Sequence, residues 1–182
     1  MKTVYFEKPG KGNSKEVAAL VKEAVAAEKI SYVVVASNTG ETAKLFADCG
    51  AKVICVTHVQ GFHKSGENEL SPVEKEALEK LGISVLTTTH VLSGAERGMS
   101  RKMGGVYPVE IMAHTLRMLG AGTKVGVEIS VMALDSGLIP AGEKVIAVGG
   151  TGKGADTAVI ITPAHAQDIF DTKLHTFLCK PQ

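Results

Sequence analysis

The stretch YVVVASNTGETAKLFAD, residues 32–48, decides the fold that this sequence predicts. Its β-favouring start runs into the small polar turn Ser37-Asn38-Thr39-Gly40, and a helix is predicted from Thr39 to Cys49. A helix that starts directly after a strand points unpaired backbone N–H groups and the positive end of its dipole at one spot. That spot suits a phosphate or carboxylate, although a plain strand-to-helix turn capped by Ser or Thr explains the same pattern.

Working outward, strand-like and helix-like segments alternate along the chain. Further strands are predicted at residues 3–6, 52–57, 83–87, 144–148 and 157–162, and further helices from residue 14, at 72–81, at 108–119 and at 123–138. The alternation predicts one α/β domain over residues 1–182, a three-layer α/β/α arrangement with a mostly parallel sheet of about five strands. The last strand is expected to be antiparallel to its neighbour, because only a short glycine turn separates them. Residues 91–105, with four glycines, are predicted to form a long loop.

Composition narrows the class of protein. The net charge is +1, aromatic residues make up 4% and Trp is absent, so neither nucleic acid nor an anionic membrane is an expected partner. The stretch MKTVYFEKPGKG has no apolar signal region, and no run of about 18 apolar residues exists, so a cytoplasmic protein is expected. Cys49, Cys55 and Cys179 form no CxxC pair and are interpreted as reduced thiols. Cys55 is expected in the core, and Cys49 at a partly exposed helix end.

The glycine-dense loop Gly149-Gly150-Thr151-Gly152-Lys153-Gly154 is not a nucleotide fingerprint. A Walker A loop needs Ser or Thr after its Lys, and the dinucleotide motif needs a helix after its glycines, whereas a strand-like TAVIIT follows here. What the pattern does indicate is a pliable loop with free N–H groups and one ammonium group, suited to closing over an anion. A plain hairpin turn is the alternative.

Histidines supply further candidate residues. His58 and His90 each follow a predicted strand, at the edge where ligands bind in open α/β sheets, and either a ligand contact or a structural cap is consistent with that position. No metal site is predicted, because His58 with His63 and Asp168 with His175 are only loose pairs. Glu128 interrupts an apolar helix face. It is either a solvated position or a buried carboxylate that needs a hydrogen-bond donor.

Two blocks of this chain resemble the C-terminal α/β domain of pyruvate kinase. They are VVVASNTGETAKLFADCGAKVICVT and EISVMALDSGLIPAGEKVIAVGGTGKGADTAVIITPA, and the likeness extends over about residues 31–163. The catalytic barrel of that family is missing, so pyruvate kinase activity is not implied. The chain is similar to small stand-alone members, some of which are associated with bound flavin mononucleotide (FMN).

The resemblance implies a binding site for a phosphorylated small molecule. Its phosphate would lie in the turn after the first strand of the likeness, under a glycine-rich lid loop, and FMN is the ligand we expect first. The predicted cofactor-binding residues are Ser37, Asn38, Thr39, Gly40, Glu41, Thr42, Thr57, His58, Gly150, Thr151, Gly152, Lys153 and Gly154. Met99, Met103 and Tyr107 are suggested contacts for a flavin ring.

Three functions are compatible with these observations, and whether the protein is an enzyme stays open. The first is binding of FMN or a sugar phosphate. The second is a flavin-dependent oxidoreductase, in which the cofactor supplies the redox chemistry. The third is a sugar-phosphate-sensing regulatory or interaction subunit. A homodimer or higher homo-oligomer is expected because symmetric dimers are the commonest assembly.

Overall fold

The computed structural model describes residues 2–182, which form seven strands and six α-helices. The strands are β1 (Val4–Phe6), β2 (Tyr32–Ala36), β3 (Lys52–Val56), β4 (Ser84–Leu86), β5 (Val145–Gly149), β6 (Thr157–Thr162) and β7 (Lys173–Pro181). The helices are α1 (Ser14–Glu28), α2 (Glu41–Lys44), α3 (Pro72–Lys80), α4 (Gly94–Met103), α5 (Pro108–Arg117) and α6 (Ala121–Asp135). Short 3₁₀ helices occur at Lys11–Asn13 and Ala166–Asp171.

All seven strands belong to one mixed sheet in the order β1-β7-β6-β5-β2-β3-β4. Only β6 runs against its neighbours, β5 and β7, and every other pairing is parallel. The predicted mostly parallel α/β sheet is therefore confirmed, as is the antiparallel pairing of β5 with β6. The sequence did not predict β7, which pairs with β6 through register shifts and mixes polar with apolar residues without a regular alternation.

Helices cover both faces of the sheet, which gives the expected three layers. Successive residues of a strand point to opposite faces. Val33 and Val35 of β2 accordingly pack in one core cluster with residues of α1, α2 and α3, while Val34 packs in a second cluster with residues of α6. The buried strands read as continuous apolar runs because both of their faces are covered.

Two predicted elements differ in the structure. The helix expected from Thr39 to Cys49 is helical only over Glu41–Lys44. Beyond it the backbone continues as tighter turns, in which Phe46 N–H bonds to Ala43 and Cys49 N–H bonds to Phe46. The loop expected over residues 91–105 contains the ten-residue helix α4, because most of its glycines lie at the ends of that helix rather than within it.

The topology creates a crevice at one edge of the sheet. From β2 the chain continues outward to β3 and β4, whereas β5 lies on the other side of β2. The connection from β2 to β3 contributes α2 to one face, and the connection from β4 to β5 contributes α6 to the other. Ligands in open α/β sheets bind at such a switch point, outside the carboxyl ends of the strands. Among the described residues, no helix has the length and apolarity that crossing a bilayer requires.

Candidate functional site

A cavity of about 490 Å³ lies at this switch point. It is bordered by the turn after β2, the ends of β3, the glycine loop after β5 and one side of α6. Its size is within the range of about 300–1,000 Å³ that is usual for small-molecule sites. The predicted site residues that line it are Ser37, Asn38, Thr39, Glu41, Thr42, Thr57, His58, Gly150, Gly152, Lys153 and Gly154. Gly40 and Thr151 were also predicted but do not line it, and neither do Met99, Met103 and Tyr107.

The turn after β2 presents backbone donors without a long helix behind them. The amides of Asn38, Thr39 and Gly40 make no hydrogen bond to another described residue. Gly40 has φ of 87° and packs its backbone against Leu70 and Leu78, so a side chain at this position would be strained. Because α2 has only four residues, it supplies a shorter row of aligned peptide dipoles than the predicted helix, and the free amides are the main donors that this turn offers an anion.

Ser37 has a structural bond of its own. Its side chain is buried, and its Oγ accepts a hydrogen bond from the Ala43 amide at 3.3 Å. Its backbone amide donates to Val56 of the neighbouring strand at 3.0 Å. The Ser37 hydroxyl therefore holds the turn in shape while its hydrogen stays available as a donor toward the cavity.

The glycine loop is anchored at both ends and free only at its tip. Asp156, which is fully buried, accepts hydrogen bonds from the amides of Thr151 at 2.9 Å and Gly10 at 2.8 Å, and from the Thr157 hydroxyl at 2.7 Å. A Cβ on Gly154 would lie 2.5 Å from the Lys11 Cα, so this end of the loop is packed against the start of α1. These contacts hold the two ends of the loop, and its exposed residues are Thr151, Gly152 and Lys153. That the loop is pliable stays a prediction.

Five cations of the described residues surround the cavity, and three of them have no acidic partner there. Lys11 pairs with Glu41 at 2.7 Å, and Lys124 pairs with Glu128. The hydrogen bond from Lys11 lowers the pKa of the exposed Glu41. No ion pair to a described residue is formed by Arg97, Arg117 or Lys153, and all three line the cavity.

Beneath these cations, α6 carries a buried ion pair. The exposed fractions of Lys124 and Glu128 are 6% and 5%. Glu128 Oε1 also accepts the Leu92 amide at 3.0 Å, so the carboxylate is the buried, partnered one of the two alternatives that the sequence left open. Burial lowers the pKa of Lys124, and its partner Glu128 acts in the opposite direction.

The side wall of the cavity contains histidine and aromatic rings. The rings of His58 and Phe62 are stacked with centroids 3.8 Å apart, and His90 lies 5.5 Å from His58. Burial is the main cause that lowers the pKa of His90. Thr57, buried at the end of β3, bonds to the Thr87 hydroxyl at 2.7 Å and holds the strand end in place.

An apolar floor completes the cavity. Side chains from the ends of β2 and β3 and from α6 form it, namely Ala36, Val56, Val125, Ile129 and Met132. The cavity thus combines a polar lining, from the two loops and from side chains of α4, α5 and α6, with an apolar patch between the sheet and α6. Such a combination suits a ligand with one anionic end and one flat or apolar end.

Several of these residues could not be identified from sequence alone. Arg97 is on α4 and Arg117 ends α5, and only the folded chain brings them to the switch point. Asp156 stands between a glycine loop and a strand, where its three donors are not apparent. The Lys124–Glu128 spacing of four residues was a usable signal for an ion pair.

The cysteines take no part in the cavity. All three are buried, Cys49 included, which corrects the expectation of partial exposure for that residue. Burial raises the pKa of Cys55 and that of Cys179 to about 12. These thiols are therefore core residues of low reactivity.

Comparisons with known proteins find one matching family and several similar solved structures. The family described as "Pyruvate kinase, alpha/beta domain" matches residues 15–161 of this chain. A solved pyruvate kinase from Cryptosporidium parvum is 15% identical with a TM-score of 0.43, over 82% of this chain and 23% of that protein. A structure described as C. parvum pyruvate kinase in complex with ADP is also 15% identical, with a TM-score of 0.42, over 81% of this chain and 22% of that one. This chain therefore spans less than a quarter of the length of those enzymes.

Proposed function

This chain belongs to the pyruvate kinase alpha/beta-domain family, and we propose that it binds a phosphorylated small molecule in the switch-point cavity, with FMN as the first candidate. The family match covers most of the chain, whereas the chain covers less than a quarter of the similar pyruvate kinases. We accordingly propose a binding function and not the activity of those longer proteins.

The observation that carries the proposal is the set of unpartnered donors around one cavity. Arg97, Arg117 and Lys153 have no acidic partner among the described residues, and the turn amides of Asn38 and Thr39 make no internal hydrogen bond. Groups of this kind favour a multiply charged anion, because each can give it a charge-assisted hydrogen bond. A phosphate ester fits that chemistry.

The apolar floor supports a ligand that is larger than inorganic phosphate. A flavin ring is flat and largely apolar, and it would lie between the floor and the stacked rings of His58 and Phe62. A sugar phosphate would use the same anion-binding groups without needing the floor. Comparing the two kinds of ligand therefore tests the flavin identity separately from the phosphate site.

Calorimetric titration with FMN, riboflavin and ribose 5-phosphate tests the proposal. FMN is expected to bind, and riboflavin, which lacks the phosphate, is expected to bind at least about tenfold more weakly, since a charged hydrogen bond contributes about 1.5–3 kcal/mol. Tight binding of ribose 5-phosphate without FMN binding would support the phosphate site but contradict FMN as its ligand. Absence of binding by all the phosphorylated ligands would contradict the proposal.

Two arginines of α4 provide a matched pair of variants. Arg97 lines the cavity and Arg101, one turn later, does not. Arg97→Ala is expected to weaken FMN binding by about tenfold, while Arg101→Ala leaves it near the wild-type value. Thr39→Asp, which adds a negative charge to the turn, is expected to weaken binding further. Equal affinities for the two arginine variants would show that α4 does not contact the ligand.

A ligand-responsive regulatory subunit is a second candidate, favoured by the outer surface of α4 and α5. Met103, Val106, Ile111 and Met118 are exposed there by 74%, 76%, 55% and 83%. Because α4 also carries Arg97, ligand and partner would share one element. Light scattering with and without FMN tests this function, and a mass that is monomeric in both states would contradict it. The expected homo-oligomer stays a prediction, and the same light-scattering measurement tests it.

A further inference from the structure

Beside the anion-binding loops, a second cluster of chemically active side chains lies at the cavity rim. His58, His63 and Glu69 are brought together by the connection between β3 and α3. We propose that these three residues form a binding site for a divalent transition-metal ion such as Zn²⁺. The proposal rests on the geometry of the three side chains and does not depend on the identity of the phosphorylated ligand.

The ligand atoms already lie close to the arrangement that a metal requires. One nitrogen of each histidine and one carboxylate oxygen of Glu69 are all within 4.8 Å of one another. His63 Nε2 is 3.3 Å from Glu69 Oε1, and His58 Nδ1 bonds to the other carboxylate oxygen. In a tetrahedral zinc site with bonds of roughly 2.0–2.1 Å, ligand atoms are about 3.3–3.4 Å apart. Small side-chain rotations therefore suffice to bring the three groups to one ion.

The connection that carries these residues is held in shape by its own hydrogen bonds. Gly61 N–H donates to Glu67 O at 2.8 Å, closing the loop around His63. The Asn68 side chain donates to His58 O at 3.2 Å and accepts the Leu70 amide at 2.8 Å. Because the backbone on both sides of Glu69 is fixed in this way, little ordering remains to be done when an ion binds.

The donor set favours a particular class of ion. Two imidazoles and one carboxylate are ligands of Zn²⁺, Fe²⁺, Co²⁺ and Ni²⁺, whereas Mg²⁺ and Ca²⁺ prefer oxygen ligands alone. Three protein ligands also leave at least one coordination position free, as in catalytic rather than structural zinc sites. His58 and Glu69 both line the cavity, so that position is available to an oxygen atom of a bound small molecule.

The three side chains are accessible to an ion from solution. The exposed fractions of the His58, His63 and Glu69 side chains are 27%, 67% and 28%. The stacked Phe62 ring limits rotation of the His58 ring, which keeps Nδ1 directed at Glu69. An ion would take the place of the direct contacts between the two histidines and this carboxylate.

Calorimetric titration of Zn²⁺ into chelator-treated, ligand-free protein tests the site, with Co²⁺ absorption spectra as a second readout of coordination. Saturable binding of one ion per chain is expected, with no measurable heat from Mg²⁺. His63→Ala and Glu69→Gln are each expected to weaken Zn²⁺ binding by at least about tenfold, since even outer-shell partners of a metal contribute 10–100-fold. Both variants should also change the Co²⁺ spectrum.

His165 offers the matched control, because it pairs with Asp135 at 2.7 Å but is not part of a three-ligand cluster among the described residues. His165→Ala is expected to leave Zn²⁺ affinity unchanged. Absence of saturable binding, or equal binding by wild type, His63→Ala and Glu69→Gln, would overturn the proposal. FMN titrations in the presence of EDTA keep this result distinct from that of the phosphate site.

Discussion

Helices α4 and α6 both bring cations to the same cavity, yet they are held in the molecule in different ways. Of the fifteen residues of α6, twelve are buried, whereas none of the ten residues of α4 is. The α6 helix packs on the sheet beside β2, β5 and β6, and α4 rests against α5 through polar contacts such as that of Ser100 with Glu110 at 2.6 Å. The cavity thus has one fixed wall and one weakly held wall.

This difference assigns separate physical roles to the two walls. Buried contacts set how much free energy a local opening requires, so α6 should open only with the whole domain, while α4 can open by itself. A ligand that contacts Arg97 would then order α4, and part of its binding energy would be used for that ordering. Lys124, on the fixed wall, needs no such ordering. The following predictions test this contrast.

The largest expected effect is on the fixed wall. Glu128→Leu leaves the buried Lys124 without its counter-charge, and we expect a loss of about 3–5 kcal/mol in the free energy of unfolding, measured with urea. The double variant Lys124→Met with Glu128→Leu should recover most of that loss. The exposed pair Glu76 and Lys80 on α3 has the same spacing, and Glu76→Ala should change stability by less than about 0.5 kcal/mol. A single Glu128→Leu variant as stable as the wild type would contradict the fixed-wall description.

The second prediction concerns close packing of α6 on the sheet. A Cβ on Gly122 would lie 2.3 Å from the Thr157 Oγ1 and 2.4 Å from its Cβ. Because Thr157 is buried in the sheet, it has no room to move away, and Gly122→Ala should lower the free energy of unfolding by about 1–3 kcal/mol. Thermal unfolding followed by circular dichroism measures this loss. A stability gain would show that α6 can shift.

The third prediction is the same substitution on the weakly held wall, with the opposite sign. Gly98 lies within α4 and has a helical backbone, and beyond the backbone of its own helix a Cβ added to it would meet no described atom within 4 Å. Gly98→Ala should therefore stabilise α4 by about 0.5–1 kcal/mol through its lower backbone entropy in the unfolded chain. Amide hydrogen exchange within residues 94–103 should slow accordingly. Exchange that stays at the wild-type rate would contradict local opening of α4.

The smallest expected effect is a pH dependence at the boundary between the two walls. Burial lowers the pKa of His90 in the folded protein, while an unfolded histidine titrates near about 6.5. Above that pH His90 is neutral in both the folded and the unfolded protein, so its titration does not reduce the free energy of unfolding. As the pH falls below it, the unfolded state takes up a proton that the folded state resists, so stability decreases. His90→Gln should make the decrease between pH 7.5 and 5 less steep in urea unfolding, and exposed His114→Gln is the control.

Much of the fold could be predicted from local sequence because local residues determine it. The strands β2, β3, β5 and β6 are β-branched apolar runs, whose burial on both faces follows from composition. Helix α3 was placed by its cap, and in the structure Ser71 Oγ accepts the Glu74 amide at 3.1 Å as that pattern predicts. Strand β7 was missed, because its pattern is half polar and its position depends on pairing with both β1 and β6.

The cavity was predictable only where it is built from single segments. The turn after β2 and the glycine loop after β5 each appear as a continuous motif, and the parallel sheet brings both to one edge. Arg97 and Arg117 reach the same place from separate elements, whereas Asp156 is buried behind the glycine loop and anchors it. These roles depend on tertiary contacts that no local pattern encodes. The glycines of residues 91–105 were interpreted as loop residues, whereas Gly94 and Gly104 stand at the two ends of helix α4.

One carboxylate links distant parts of this molecule. A single oxygen of Asp156 receives the amides of both Gly10 and Thr151, which come from opposite ends of the chain. Displacing the loop after β5 would therefore pull on the segment that leads into α1, or else break a bond to a charge with no access to water. Because one oxygen joins the two segments, a displacement of the loop after β5 is coupled to the segment between β1 and α1.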